Sequence, residues 1–193
     1  MAAAEQNVLF IDIERCLGCK ACEIACAVEH SQTKELFTAI FEKPRPMPRV
    51  RAIAAAGYVV PLQCRHCEKA ACVEVCPTEA LKRTPEGIVI LDEALCTGCK
   101  ACIIACPFAA VLMDWYKRVV SKCDLCIDRI RRGLKPACVE ACPTGALMYG
   151  RLEDLTREVQ ARKAQEAITG RGVAPKGLVL LRGASSPSEE GGE

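Results

Sequence analysis

The sequence is poor in aromatic residues: four Phe, three Tyr and one Trp make up 4% of its 193 residues. Large rings normally fill much of a domain core, so something else has to occupy the centre here. There is no run of about 18 uninterrupted apolar residues, which excludes a membrane-spanning helix of ordinary length. The N-terminal stretch MAAAEQNVLFIDIERC has no basic segment followed by an apolar one and no twin arginine. No secretory signal is therefore expected, and the expected compartment is the cytoplasm, or the inner face of the membrane through a partner complex. A Gly-rich phosphate loop, a nucleophile elbow and a carboxylate pair in catalytic context are all missing. Nothing is placed to transform a substrate, so a non-catalytic protein is expected.

What the sequence has instead is cysteine, sixteen in all. Without them the apolar fraction falls from 51% to about 43%, an ordinary value. The cysteines fall into four motifs with none left over: Cys16, Cys19, Cys22, Cys26; Cys64, Cys67, Cys72, Cys76; Cys96, Cys99, Cys102, Cys106; and Cys123, Cys126, Cys138, Cys142. In a reducing compartment disulfides are rare, and cysteine at this density points to metal.

The motifs repeat. CLGCKACEIACA at motif one matches CTGCKACIIACP at motif three, and ACVEVCPTEAL in motif two matches ACVEACPTGAL in motif four. This alternation indicates duplication of a two-motif unit. Between motifs two and three, LKRTPEGIVILDEAL reads as a short strand, a turn at Pro85-Glu86-Gly87 and a strand from Ile88 to Leu91. Residues 31–62 differ in kind: a helical stretch, the stiff KPRPMPR, then VRAIAAAGYVVPLQ as strand material. Pro44, Pro46 and Pro48 cannot sit inside a helix or central strand, so this segment is expected to cross the surface. After Gly150, LEDLTREVQARKAQEAITG has apolar residues at Leu152, Leu155, Val159 and Ile168 and ends on Gly170, the pattern of an amphipathic helix. KGLVLLRG is expected to add a strand, within a C-terminal segment 151–182, and the small polar tail 183–193 to be disordered.

Cysteines at i, i+3 and i+6 on one loop can reach three corners of an inorganic cube. The fourth, three residues on and followed by proline, leaves the loop. C-x2-C-x2-C-x3-C-P is the bacterial ferredoxin run, whose fourth cysteine serves the other cluster of a pair. Motif three with Pro107 fits it throughout, and motif one fits except that Ala27 replaces the proline. Motifs two and four stretch the middle gap but keep C-x3-C-P. A tetrahedral zinc ion has no use for three successive x2 spacings with a fourth cysteine beyond, which leaves a structural zinc protein as the rival from another class. Sixteen ligands then correspond to four [4Fe–4S] clusters. The hairpin favours pairing motif two with three, hence one with four. Spacing alone leaves one with two and three with four open.

The order of the motifs, the x11 gap in the last and PLQCRHC at the start of the second resemble the four-cluster ferredoxin-like electron-transfer subunits of the dimethyl sulfoxide reductase, nitrate reductase and formate dehydrogenase group. The resemblance spans about residues 8 to 155 and implies an α+β fold of two nested bacterial ferredoxin-like units with a C-terminal helix. The outer unit would be residues 1–30 plus 110–150, the crossing 31–62 and the inner unit 63–109. It implies nested pairing. Cys16, Cys19, Cys22 and Cys142 would hold cluster 1, and Cys26, Cys123, Cys126 and Cys138 cluster 2. Cluster 3 would fall to Cys64, Cys67, Cys72 and Cys106, and cluster 4 to Cys76, Cys96, Cys99 and Cys102. Some relatives carry tryptophan in the third motif and a three-iron cluster; here all four cysteines are present. The implied role is a wire between a catalytic subunit and a second redox partner. The short length and the crossing are most similar to the small iron–sulfur proteins that accompany carbon monoxide dehydrogenase. Formate dehydrogenase of the molybdenum or tungsten type is the neighbouring alternative, with a hydrogenase or other carrier as second partner. A free-diffusing polyferredoxin is the alternative within electron transfer.

The formal charge of +2 omits the cofactors. Sixteen thiolates subtract sixteen and four oxidised cores restore about eight, leaving the loaded protein near −6. The basic run DRIRRGLK (Arg129, Arg131, Arg132, Lys135) is accordingly read as offsetting cluster charge or meeting an acidic partner. No recognition motif accompanies it, so nucleic acid is not an expected ligand. His66, between two ligands, is expected to donate to a sulfur or backbone group. His30 has no recognisable partner and is expected at the surface or a helix cap. Trp115 and Tyr116 are expected in ordinary core packing, with cluster shielding as the other reading. The helix after Gly150 and the proline-rich crossing are expected to dock partners.

Overall fold

The computed structural model describes residues 7–169. Residues up to Gly150 form one compact unit and Arg151 opens a second. In the first, β1 (Asn7–Ile11) leads through a 3₁₀ turn at Ile13–Arg15 into α1 (Ala21–Glu29). The crossing carries α2 (Leu36–Ala39) and ends in the hairpin of β2 (Arg51–Ala55) and β3 (Tyr58–Leu62). Then follow α3 (Ala71–Glu74), the hairpin of β4 (Leu81–Arg83) and β5 (Val89–Leu91), and α4 (Ala101–Ala105). The hairpin of β6 (Val111–Asp114) and β7 (Val119–Lys122) comes next, with α5 (Ile127–Arg131), α6 (Ala137–Glu140) and β8 (Leu147–Arg151) closing the unit.

The fold is α+β. Three of its two-stranded sheets are antiparallel local hairpins, and the fourth pairs β1 with β8 across the length of the unit. Beside that pair the Asp12 amide donates to the Ala146 carbonyl at 2.8 Å, so the segment ahead of motif one is tied to the segment after motif four. The β2–β3 turn places Ala56 and Gly57 at φ +49° and +81°, the two-residue geometry that matches strand twist. The turn around Pro85–Gly87 lies where the sequence puts it, and the following strand begins at Val89.

The helices of this unit are too short to stand alone in water. α1, α4 and α5 each begin directly after a left-handed residue, Lys20, Lys100 and Cys126. Such backbone costs a non-glycine residue about 1–2 kcal/mol and persists only where the surroundings hold it. The buried side chains collect in two groups. One joins Ala70, Cys72, Leu81, Val89, Cys102, Val111 and Val120; the other joins Cys22, Cys26, Val50, Cys138 and Leu147. Val50 shows that the proline-rich crossing is not wholly superficial: it plugs the second group and is 2% exposed.

In the second unit α7 (Leu152–Ile168) is the helix the periodicity foresees. Its apolar stripe is thin, because Leu152 and Ile168 are exposed. Intrahelical pairs such as Arg162–Glu158 at 3.4 Å and Lys163–Glu166 at 2.9 Å line its surface, each worth about 0.3–0.5 kcal/mol. Gly170, the strand expected in KGLVLLRG and the tail 183–193 lie outside the described residues. Among the described residues no helix is long and apolar enough to cross a membrane.

Gly98 is the position least able to accept a side chain. A Cβ there would lie 2.4 Å from the Arg118 carbonyl oxygen, at φ +68°. Gly98→Ala is expected to open the motif-three loop and lower the iron content by about four atoms per molecule. Gly57→Ala, where nothing lies within 4 Å, is expected to keep the full content in the same anaerobic metal analysis.

Candidate metal centres

Each motif carries its first two cysteines on a loop and its third on a short helix, with the fourth in that helix in motif one and just past its end in the others. In motifs one and three the Gly of C-x-G-C turns the loop at φ +67° and +68°, and the following Lys turns it again before the helix starts. Motif four does the same with Leu125 and Cys126 at positive φ. Successive turned residues aim backbone amides into a concavity, a geometry that favours anions.

The thiols gather across motifs. Cys76, from motif two, lines one cavity with Cys96, Cys99 and Cys102 of motif three. The Cys102 thiol is pushed up to about 11 by burial and then by the charges of Cys99, Cys76 and Cys96, against a backbone hydrogen bond. Cys72 is raised by burial and by Cys64 and Cys106, with the charge of Lys122 opposing. Cys22 is pushed up to about 11 by burial, with smaller contributions from Glu23, Cys16 and Cys142. Cys126 rises to about 12 by burial, with Asp124 and Cys26 adding; Cys123 and Cys138 are also raised by burial and by Cys26. Neighbouring thiols thus run between motifs one and four and between two and three. Buried thiols that repel one another as anions are a donor set short of positive charge, which is what iron supplies.

Hydrogen bonds already favour the anion at several sulfurs. The amides of Arg49, His66 and Leu125 donate to Cys26, Cys64 and Cys123 at 3.2, 3.4 and 3.3 Å. Cys76 and Cys142, each followed by Pro-Thr, are the thiols held below their usual range. Burial opposes this, but backbone amides donate to both, as do the Thr78 and Thr144 hydroxyls at 3.8 and 3.7 Å.

His30, expected to lack a partner, has two. Its Nδ1 donates to the Cys26 carbonyl at 2.7 Å and its Nε2 to Asp124 at 3.1 Å. Burial alone would lower its pKa, yet the bonds to Asp124 and Cys26 raise it to about 9, so the ring is a cation. Asp124 also accepts from Arg49 at 2.6 Å and from the Cys126 amide at 3.0 Å. Ligand-type atoms of His30, Asp124 and Cys126 lie within 4.8 Å of one another. With both histidine nitrogens donating and Arg49 on the carboxylate, the trio is a hydrogen-bonded layer behind the sulfur and not a metal site. The i+4 spacing from Cys26 to His30 was the available signal.

His66 also differs from expectation: its ring Nδ1 accepts from the Val89 amide at 3.1 Å, and only its backbone donates to sulfur. Burial, then the charge of Lys122, lowers it to about 3, so the ring is neutral. The basic run is largely spoken for within the molecule. Arg129 pairs with Glu29 at 3.0 Å and with Glu140, tying α1 to the motif-four helices, and Arg131 pairs with Glu86 at 3.0 Å. Trp115 and Tyr116 are neither core nor shield; both are 72% exposed, and Lys100 sits 4.7 Å over the Trp115 ring.

The 4Fe-4S dicluster domain family matches residues 55–152, and a 4Fe-4S binding domain matches residues 13–29. The B subunit of the anaerobic dimethyl sulfoxide reductase of Escherichia coli (strain K12) is 39% identical over 158 residues, 79% of this protein and 77% of that one. The protein belongs to the iron–sulfur electron-transfer subunits of the dimethyl sulfoxide reductase group. The thiosulfate reductase electron transfer subunit PhsB of Salmonella typhi is 37% identical over 187 residues, 96% of both proteins. An iron-sulfur protein of Rhodospirillum rubrum is 37% identical over 174 residues, 84% of this protein and 91% of that one. This electron-transfer subunit is non-catalytic, and its sixteen cysteines fit four [4Fe–4S] clusters.

Thr144 gives a local test. Thr144→Val removes a hydroxyl donor from Cys142, worth about 1 kcal/mol toward the more negative state. One cluster is expected to fall in reduction potential in an EPR-monitored titration, and Thr144→Ser is expected to restore it.

Proposed function

We propose that this protein is a four-cluster wire. In this reading Cys16, Cys19, Cys22 and Cys142 hold one cluster, and Cys26, Cys123, Cys126 and Cys138 the next. Cys64, Cys67, Cys72 and Cys106 hold the third, and Cys76, Cys96, Cys99 and Cys102 the fourth. The grouping of the thiols between motifs one and four and between two and three supports these sets. When bound, the clusters supply one-electron redox chemistry; the protein positions them, excludes water and sets their surroundings.

The observation that carries the reading is where thiols meet solvent. Only Cys19 and Cys99 are exposed, one in the first set and one in the fourth. Electrons can therefore enter and leave at two separate places while the sets between are covered. Apolar side chains flank both: Leu17, 74% exposed, precedes Cys19, and Ile104, 87% exposed, follows Cys99 on α4. Exposed apolar surface beside an electron-exchange point fits protein partners at both ends, which argues against a freely diffusing polyferredoxin.

The catalytic partner we propose is of the carbon monoxide dehydrogenase or formate dehydrogenase kind, with a hydrogenase or another carrier as second partner. The proline-rich crossing favours it. A second reading, a sulfoxide or sulfur-oxyanion reductase, is favoured by the names of the relatives. The cytoplasm, where sixteen thiols stay reduced, is the compartment that suits either.

Anaerobically purified protein is expected to contain about sixteen iron and sixteen sulfide per molecule, with interacting spin signals on reduction. Zinc without sulfide would overturn the wire. Affinity purification from the native host is expected to bring down a large redox enzyme. The substrate that bleaches the purified complex decides between the two readings, because carbon monoxide or formate would reduce it whereas a sulfur oxyanion would reoxidise it.

A further inference from the structure

Lys122 ends β7 and is 3% exposed, an unusual place for an ammonium group. Its Nζ donates to the Cys123 carbonyl at 2.6 Å and to the Val89 carbonyl on β5. Among the described residues no carboxylate pairs with it. Two carbonyls accept two of its three hydrogens without neutralising its charge, and burying a charge is costly unless an opposite charge answers it.

Its surroundings point to that counter-charge. Lys122 adjoins Cys123, in the set shared by motifs one and four. Through Val89 it is fastened to the hairpin behind the set shared by motifs two and three. No other buried Lys or Arg is present among the described residues. Within DRIRRGLK, from which the sequence leads one to expect charge compensation, Arg129 is engaged by Glu29 and Glu140 and Arg131 by Glu86, and Arg132 donates to the Asp128 carbonyl.

We propose that Lys122 is the fixed positive charge at the passage between the two pairs of clusters, stabilising an added electron on the cluster of Cys26, Cys123, Cys126 and Cys138 and on that of Cys64, Cys67, Cys72 and Cys106. The proposal rests on the ligand sets given above. Reduction adds one negative charge to a cluster, and a cation in a medium less screening than water favours that state and raises the potential. The two covered clusters are thereby raised relative to what a neutral side chain would give, and the two with exposed thiols, whose ligands neither adjoin Lys122 nor share its hydrogen bonds, are expected to respond less. Lys122 is a positioning residue: it is not one of the sixteen ligand cysteines, its ammonium group bonds to backbone carbonyls, and it would act through its field.

The test is a potentiometric titration of the loaded protein followed by EPR, after iron and sulfide analysis. In Lys122→Met two of the four midpoint potentials are expected to fall and two to stay in place. In Lys122→Arg, which keeps the charge, all four are expected to remain close to those of the parent. Four unchanged potentials in Lys122→Met, or four that fall together, would overturn the proposal. If Lys122→Met loses iron, Lys122→Gln, which keeps an N–H donor without the charge, is measured in the same way. If neither neutral variant retains the parent's iron content, the lysine is a folding element and the proposal is wrong. Failure of the ligand sets shows separately, as a parent protein whose iron falls well short of about sixteen atoms.

Discussion

Every set of neighbouring thiols takes one member from a distant part of the sequence: Cys142 beside Cys16 and Cys22, Cys26 beside Cys123 and Cys138, Cys106 beside Cys72, and Cys76 beside Cys102. A loop of six or seven residues can bend three sulfurs toward one point, and the steric limits of the backbone carry the fourth elsewhere. The rest of the fold follows from bringing that fourth thiol home. The β1–β8 pair closes the outer motifs over more than a hundred residues of sequence, and the β4–β5 hairpin closes the inner ones locally. The thiols are also the core. Three of the five members of one buried group are cysteines, so metal binding is expected to be coupled to folding.

Concentrating thiolates in this way creates an electrostatic problem, and the structure answers it mainly with neutral dipoles. Left-handed residues turn amides toward the sulfurs, and Thr78 and Thr144 add hydroxyl donors. Arg49 and the His30 cation meet Asp124 behind Cys26, so positive charge close to one sulfur is itself partly balanced. Lys122 is different, having carbonyl partners only. Long-range ion pairs such as Arg129 with Glu29 then act as mechanical ties between elements, because Arg129 and Glu29 are both largely buried.

The cofactor was legible beforehand. A cysteine ladder with a swapped fourth member is a covalent-geometry statement, and covalent geometry is local. The hairpin after motif two and the helix after Gly150 were legible for the same reason, being set by turn residues and short periodicity. The histidines were not. His30 finds Asp124 across 94 residues of sequence, and His66 accepts from Val89, a backbone group that no side-chain pattern announces. Trp115 was expected inside because the protein has so few rings, yet the thiol core leaves little room for it and it lies outside under Lys100.

The sequence by itself determined the cofactor type and the alternating repeat of the motifs, because these depend on spacings along a few residues. Only the tertiary structure decided which motifs are neighbours, which thiols face solvent and which charges remain uncompensated. Spacing along the sequence leaves open whether motif one meets two or four; the β1–β8 pair brings one to four. The packing of β5 against β7 buries Lys122, an unremarkable strand end in the sequence, where its ammonium group meets the Val89 carbonyl, since burial is a property of what packs over a residue and not of the residues beside it in sequence.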